Sequence, residues 1–348
     1  MKLTYITLDP LRYPRVRKIL KTIRNYRDIE FFILLPRIRI ISSGNLIVRM
    51  IIAFINYLMI ILQIFFTKSD IFWITNCPDI IIFPLILRRK KYILDYRSPW
   101  VIELTEEFGR GPWFFISKVI EYIVIKNAWI ITLTTSTLYE KVKSFRKPIF
   151  IIPNYPLKSF GDNVIPKNIF KTKHGCDEKC KIVLFIGRLS YVEGADLLPK
   201  TIKEVLKKDE NVVFWIVGDG PLFSKLKKIA DIFPKKVVFF GWQPYDQIPS
   251  FIAAADVCIV PRHAFAYSHL YNEEGVHKIS EYMFFEKHIV ACGIAESTEY
   301  LLVNENDLAN GIIKALYGMV SSSKKRTWED YSEKEIHKML NLISSRRI

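Results

Sequence analysis

The stretch Glu273-Glu274-Gly275-Val276-His277-Lys278-Ile279-Ser280-Glu281, followed by Tyr282-Met283, decides how the chain is read. Two carboxylates, Glu273 and Glu281, stand eight positions apart with Lys278 between them. A helix opening near Val276 puts Lys278 and Glu281 three positions apart on one face and leaves Glu273 in the preceding loop. A loop carboxylate, a helix carboxylate and a cation at a helix start suit a molecule bearing hydroxyls and phosphates. The carboxylates accept from hydroxyls, while the lysine and the helix N-terminus take negative oxygens. A solvated, charged helix start would carry the same residues, so the weight falls on what surrounds them.

Upstream and downstream, apolar runs alternate with helical stretches. Lys181–Ile186, Val212–Val217, Val237–Phe240, Val257–Val260 and Ile289–Ala291 read as strands. The runs 196–208, 222–232, 248–254 and 307–316 read as helices between or after them, and an amphipathic helix is expected over 328–343. The first half repeats the alternation, with strands expected at Lys2–Leu8, Ile29–Leu35, Asp70–Thr75, Tyr92–Leu94, Trp129–Thr134 and Ile149–Ile152. Turn formers at Gly161-Asp162-Asn163 and Pro166 mark residues 156–180 as a linker. The expectation is an α/β chain of two Rossmann-like parallel-sheet domains, 1–155 and 181–326, with ligands at strand carboxyl ends and a cleft between the domains.

Charge is uneven along the 348 residues. Residues 1–160 hold 25 Lys and Arg against 11 Asp and Glu, and the remainder 26 against 24. The basic half looks for phosphate: nucleic acid, anionic lipid or a lipid-linked phosphate. No recognition helix, aromatic RNA platform or zinc finger is legible, which sets nucleic acid aside. Met50–Phe66 has only Asn56 and Gln63 as polar breaks and is flanked by Arg49 and Lys68. A membrane span usually needs about 20 apolar residues, and the strand–helix pattern continues on either side, so a buried or membrane-surface helix is preferred to a span. The apolar run before Arg12 is too short for a signal peptide. Cys176 and Cys180 have no second Cys/His pair at zinc spacing, so reduced structural thiols and no metal are expected.

Several ordered pieces resemble the retaining GT-B glycosyltransferases of the family numbered four, also called glycosyltransferase group 1. Lys181–Leu189, KIVLFIGRL, resembles the strand ending in Gly-Arg-Leu. Val217-Gly218-Asp219-Gly220-Pro221 resembles the Gly-x-Gly-Pro turn, Phe239-Phe240-Gly241-Trp242 the Phe-x-Gly loop, and Ala255–Pro261 the Ala-Asp-Val…Pro strand. Glu273 and Glu281 fit the two-glutamate motif, and His277–Met283 resembles Asn-Lys-x-x-Glu-Tyr-Met. In the first half, Leu94-Asp95 with Trp100, Ile151-Ile152-Pro153-Asn154 and Asp9 through Lys18 resemble acceptor-domain segments. Trp328-Glu329 resembles the start of a final helix, 327–348, that crosses back to the first domain.

The resemblance implies sugar transfer from a nucleotide sugar, with retention and without a metal or cofactor. In it, Arg188 and Lys278 neutralise the leaving diphosphate, and Glu273, or Glu274 in its place, holds donor-sugar hydroxyls. Glu281 accepts from the ribose, Gly187, Gly218 and Gly220 let backbone approach the donor, and Trp242 lies beside the base or in the core. Asp95 and Arg97 are acceptor-side candidates. The leaving phosphate itself helps deprotonate the acceptor. Three positions depart from the family. Glu193 stands where a lysine is usual, Asp95-Tyr96-Arg97 lacks a histidine, and Glu286-Lys287-His288 replaces Gly-Lys-Pro. The expected acceptor is a lipid-linked sugar or a glycan, with the protein cytoplasmic and peripheral at an anionic membrane face, where basic residues gain about 1 kcal/mol each. Glu193 also supports a degenerate, non-catalytic subunit that binds a glycan or partner. A sugar-nucleotide epimerase of the same fold would want acid/base residues that are not identified.

Overall fold

A computed structural model describes residues 1–8, 13–36, 46–76, 79–177 and 179–345. Cys77, residues 9–12 of the N-terminal resemblance and residues 346–348 of the final segment lie outside the described residues. The chain divides into two compact units, Met1–Pro153 with Ser332–Ile348, and Asn154–Tyr331.

The first unit runs β1 (Lys2–Ile6), α1 (Pro14–Arg24), β2 (Glu30–Leu34), α2 (Leu46–Phe66), β3 (Ile71–Thr75), α3 (Phe83–Leu87), β4 (Lys91–Tyr96), α4 (Trp100–Phe108), α5 (Pro112–Asn127), β5 (Ile130–Leu133), α6 (Tyr139–Val142) and β6 (Ile149–Ile151). Its sheet is all parallel, in the order β2-β1-β3-β4-β5-β6. A parallel sheet with both faces covered calls for uninterrupted apolar strands, and β3 (Ile-Phe-Trp-Ile-Thr) is buried at every position. Helices α4 and α5 each open at a proline. Pro112 takes the first turn of α5, where its missing N–H costs nothing, and α4 follows Pro99.

The second unit runs α7 (Lys167–Lys173), β7 (Lys181–Ile186), α8 (Leu198–Lys208), β8 (Val212–Val217), α9 (Phe223–Ile232), β9 (Val237–Gly241), α10 (Ile248–Ala254), β10 (Val257–Pro261), α11 (His277–Phe284), β11 (His288–Cys292), β12 (Leu301–Leu302) and α12 (Leu308–Leu316). Its parallel sheet is ordered β12-β11-β10-β7-β8-β9. Residues 156–180 are not a free linker but part of this unit. Phe170 of α7 packs edge-on against Trp215 and Phe251, and Phe160 against Phe284.

The final helix, α13, starts at Ser332, four residues later than Trp328, and runs to Ser345. Trp328 is buried in the second unit, its N–H donating to the Pro156 carbonyl at 2.7 Å. Helix α13 belongs to the first unit, where Ser332 Oγ donates to the Pro153 carbonyl at 2.7 Å and His337 meets Tyr26 edge to face. Among the described residues, no helix is long and apolar enough to cross a membrane.

Candidate active site

The strand order of the second unit reverses direction between β7 and β10, which are neighbours. From β7 the chain steps towards β8 and β9; from β10 it steps towards β11 and β12. Ligands of open α/β sheets bind outside the strand carboxyl ends at such a reversal. The loops after β7, β8 and β10, and the start of α11, meet there.

Backbones pass so closely that Gly194, Gly218 and Gly293 admit no side chain. A Cβ on Gly218, after β8, would stand 1.9 Å from the Gly187 carbonyl oxygen, and φ there is +135°. A Cβ on Gly194 would stand 1.3 Å from the Pro261 carbonyl oxygen, and φ is +66°. The second contact presses the 190–194 loop on the end of β10 and so delivers Glu193 to the cations of other segments. Lys278 Nζ donates to Glu193 Oε2 at 2.5 Å, and Arg262 Nη2 lies 3.9 Å from Glu193 Oε1. Burial raises the Glu193 pKa, but Lys278 and Arg262 outweigh it and pull the carboxyl down to about 2. The same loop is pinned further on by His263, whose two ring nitrogens meet Asp196 at 3.0 Å and Glu305 at 3.1 Å, and whose ring stacks on Tyr191.

Lys278 is the second residue of α11, buried, with its ammonium 4.9 Å from the centre of the Phe185 ring. A Cβ on Gly187 would lie 3.2 Å from its Nζ, so the lysine stands at the mouth of β7. One residue on, Arg188 is exposed, and among the described residues nothing pairs with its guanidinium. Glu281, one turn into α11, is buried and accepts from the Tyr245 hydroxyl at 3.0 Å.

Glu273 is buried in the loop before α11. Its Oε1 lies 3.6 Å from Arg326 Nη1, while its Oε2 has no hydrogen-bond partner among the described residues. Burial, with Glu274 adding repulsion, raises its pKa against the opposing pull of hydrogen bonds and Arg326. Arg326 is itself held by Glu299 at 2.7 Å and by the Tyr155 hydroxyl at 2.8 Å. Glu274 is half-buried, and its carbonyl accepts from Asn154 N at 2.8 Å, which ties the loop to the start of the unit.

The structure therefore brings Gly187, Arg188, Gly218, Gly220, Glu273, Lys278 and Glu281 to the loops and helix start at the sheet reversal. Trp242 is not a core residue: it is 72% exposed, next to Gly241 at the end of β9. Asp95 is a correction. It lies fully buried in the first unit, its carboxylate taken by Arg15 Nε at 3.2 Å, Arg15 Nη2 at 2.8 Å and Thr132 Oγ1 at 2.8 Å, so it has no oxygen to offer an acceptor. Arg97 is partly exposed just beyond β4, its guanidinium 5.9 Å from the centre of the Tyr13 ring.

Sequence reasoning missed Arg262, Tyr245, Arg326 and His263. The one available signal was position: Arg262 directly follows a strand that ends at the reversal. Among the described residues, no three His, Cys, Asp or Glu side chains gather as a metal site would.

The fold of these two parallel-sheet units is GT-B. Solved structures share it across nearly the whole chain. Sucrose-phosphate synthase of Thermosynechococcus elongatus aligns with a TM-score of 0.67 over 99% of this chain and 98% of its own, at 15% identity. HepE of Anabaena, solved with UDP and glucose, gives 0.67 over 99% and 100%, at 13% identity. A UDP-N-acetylglucosamine 2-epimerase gives 0.66 over 100% and 98%, at 10% identity.

Residues 180–321, which lie in the second unit, match the model for glycosyl transferases group 1. An uncharacterized glycosyltransferase of Methanocaldococcus jannaschii is 27% identical over 47% of this chain and 46% of its own length. The phosphatidylinositol N-acetylglucosaminyltransferase GPI3 subunit of Saccharomyces cerevisiae is 28% identical over 31% of this chain and 24% of its own length. The alpha-D-kanosaminyltransferase of Streptomyces kanamyceticus is 27% identical over 35% and 30%. The chain spans less than half the length of the curated relatives it matches.

Proposed function

We propose that the protein is a retaining hexosyltransferase that moves a sugar from a nucleotide-sugar donor to a lipid-linked sugar or glycan acceptor, without a metal. The observation that carries the proposal is the gathering of Arg188, Lys278 and Arg262 around the carboxyl ends of β7 and β10, at the N-terminus of α11. Three cations and Glu193 leave two net positive charges, which matches the two negative charges of a bound diphosphate ester. Glu193 then orders Lys278 and Arg262 in the free protein, and the diphosphate shares them on binding.

Glu281 accepts from the ribose hydroxyls, with Tyr245 setting the carboxylate's orientation. Glu273, with one oxygen unpartnered, accepts from a hydroxyl of the donor sugar. The bond between the anomeric carbon and the phosphate oxygen breaks, and its electron pair passes to that oxygen. The acceptor hydroxyl adds to the same face of the anomeric carbon, and its proton goes to the departing phosphate oxygen. Arg188, Lys278 and the first N–H groups of α11 stabilise the developing charge. The basic first unit suits a cytoplasmic position at a membrane face.

The Glu193–Lys278 contact also favours a second reading, a non-catalytic subunit whose donor site is closed by its own carboxylate. Titration of the protein with a panel of nucleotide sugars, followed by transfer assays with membrane lipid extract, separates the two. Donor turnover by wild type, lost in the Arg188→Ala/Glu281→Ala variant, supports the enzyme. No nucleotide binding and no turnover would leave the non-catalytic reading.

A further inference from the structure

Right-handed crossovers dictate which helices share a face of the first sheet. From β2 to β3, β3 to β4 and β4 to β5 the chain steps in one direction, so α2, α3 and α5 fall on one face, and α1, which steps the other way, on the opposite one. In agreement, α2 and α5 both pack on the Asp79–Ile82 turn and α3.

Helix α2 buries Asn56, Ile60 and Ile64, a stripe at four-residue spacing. Its outward stripe is Ile51, Phe54, Leu58, Leu62 and Phe65, all exposed, with Phe54 68% exposed. A solvated helix of an α/β unit carries charge on that side. Helix α5 repeats the pattern with Phe115, Val119 and Tyr122 exposed, and α3 between them exposes Leu87. Exposed apolar side chains on three helices of one face mark a binding surface.

Charge selects the occupant. Within α2, α5 and the segment 79–91 there are two carboxylates, Asp79 and Glu121, and each is engaged inward. Asp79 accepts from Trp100 Nε1 at 2.8 Å, and Glu121 from the Tyr96 hydroxyl at 2.7 Å. The cations stand outward: Arg89, Lys91, Lys118 and Lys126 are exposed. Arg88 and Lys118 lie 5.8 Å and 4.6 Å from the ring centres of Phe65 and Phe114, the arrangement of long basic side chains that border an apolar layer. A second copy of this face would set like charges against each other. An anionic bilayer offers both an apolar interior and a negative surface, and the 21-residue α2, about 30 Å long, would lie flat in it.

We propose that the outward face of α2, α3 and α5 is a docking surface for the headgroup region of an anionic lipid bilayer. This deepens the lipid-linked acceptor reading and rests on it for its purpose, while vesicle binding and nucleotide binding are measured separately so that either can fail alone. The full chain is sedimented with vesicles of phosphatidylcholine, or of phosphatidylcholine with phosphatidylglycerol, at low and high salt. Wild type is expected on the anionic vesicles, less so at high salt. The Phe54→Glu/Leu58→Glu/Phe115→Glu variant should lose about tenfold or more of that binding with its thermal unfolding unchanged. Arg89→Glu/Lys91→Glu/Lys118→Glu should lose the salt-sensitive part, which keeps the test intact should the first variant misfold. Absence of wild-type binding to anionic vesicles, or equal binding by both variants, overturns the proposal. So does a concentration-dependent dimer that the first variant abolishes without any vesicle binding, which would give the face to a second copy.

Discussion

Each unit places a carboxylate against a cation near strand carboxyl ends, and the two pairs are built to opposite ends. In the first unit, Arg15 and Asp95 are 1% and 0% exposed at their side chains, and Asp95 is met twice by the guanidinium and once more by Thr132. Arg15 also donates to the Ile152 carbonyl at 2.8 Å. That pair is saturated and holds α1 to the ends of the strands. In the second unit, Glu193 meets Lys278 through one oxygen, with Arg262 farther off at 3.9 Å, and its side chain is 26% exposed. Here the cations keep capacity for another anion. A pair whose donors and acceptors are all spent is scaffold, and one with surplus positive charge beside half-buried glycine loops is a place to bind.

The largest expected effect breaks the first pair. Asp95→Ala strands the Arg15 guanidinium in the core and should lower stability by about 3–5 kcal/mol in denaturant unfolding, with nucleotide affinity of the folded fraction unchanged. Next come Arg188→Ala and Lys278→Ala. Each removes a charge-assisted contact to phosphate worth about 1.5–3 kcal/mol, so titration calorimetry should read roughly a 10- to 100-fold weaker nucleotide diphosphate. Glu193→Gln sharpens the contrast from the other side. It frees two cations, and nucleotide affinity should rise about threefold, the scale of a partly exposed ion pair. A fall instead would mean that Glu193 is needed to position Lys278.

The same residue has a pH signature. Its folded pKa lies below the ordinary carboxylate value, so its stabilisation is fully present above about pH 4.5 and is lost as pH falls towards 2. Glu273 is shifted the other way by burial, and its contribution is lost as pH rises through the carboxylate range. Unfolding curves of wild type and Glu193→Gln should therefore converge as the solution is acidified. Smallest of all, Trp242→Ala should change stability by less than about 0.5 kcal/mol, because the ring is largely exposed.

The strands were legible because parallel sheets write themselves as unbroken apolar runs, as in Lys181–Ile186 and Val212–Val217. The Glu273–Glu281 spacing was legible because both ends lie in one loop-and-helix segment. Pairings across distance were not. Lys278 and Glu193 are 85 positions apart, and Arg15 and Asp95 are 80, so no spacing rule connects them. Asp95 drew attention as a carboxylate at a strand end, yet only the fold reveals Arg15 beside it. The span 156–180 read as a linker from its turn formers, whereas Phe160 and Phe170 decide its place by packing. Trp100 resembles part of an acceptor-domain loop, whereas it opens α4 directly after Pro99.

Helix α13 has a consequence for how the protein is made. It closes the first unit with Ile336, Met339, Leu340 and Ile343 buried, yet it is translated only after the whole of the second unit. At about 5–20 residues per second, the ribosome takes on the order of 10–30 s to cross Asn154–Tyr331. Throughout that interval the nascent first unit waits with the seat of α13 uncovered, so the second unit, complete in one continuous segment, is free to finish folding before the first.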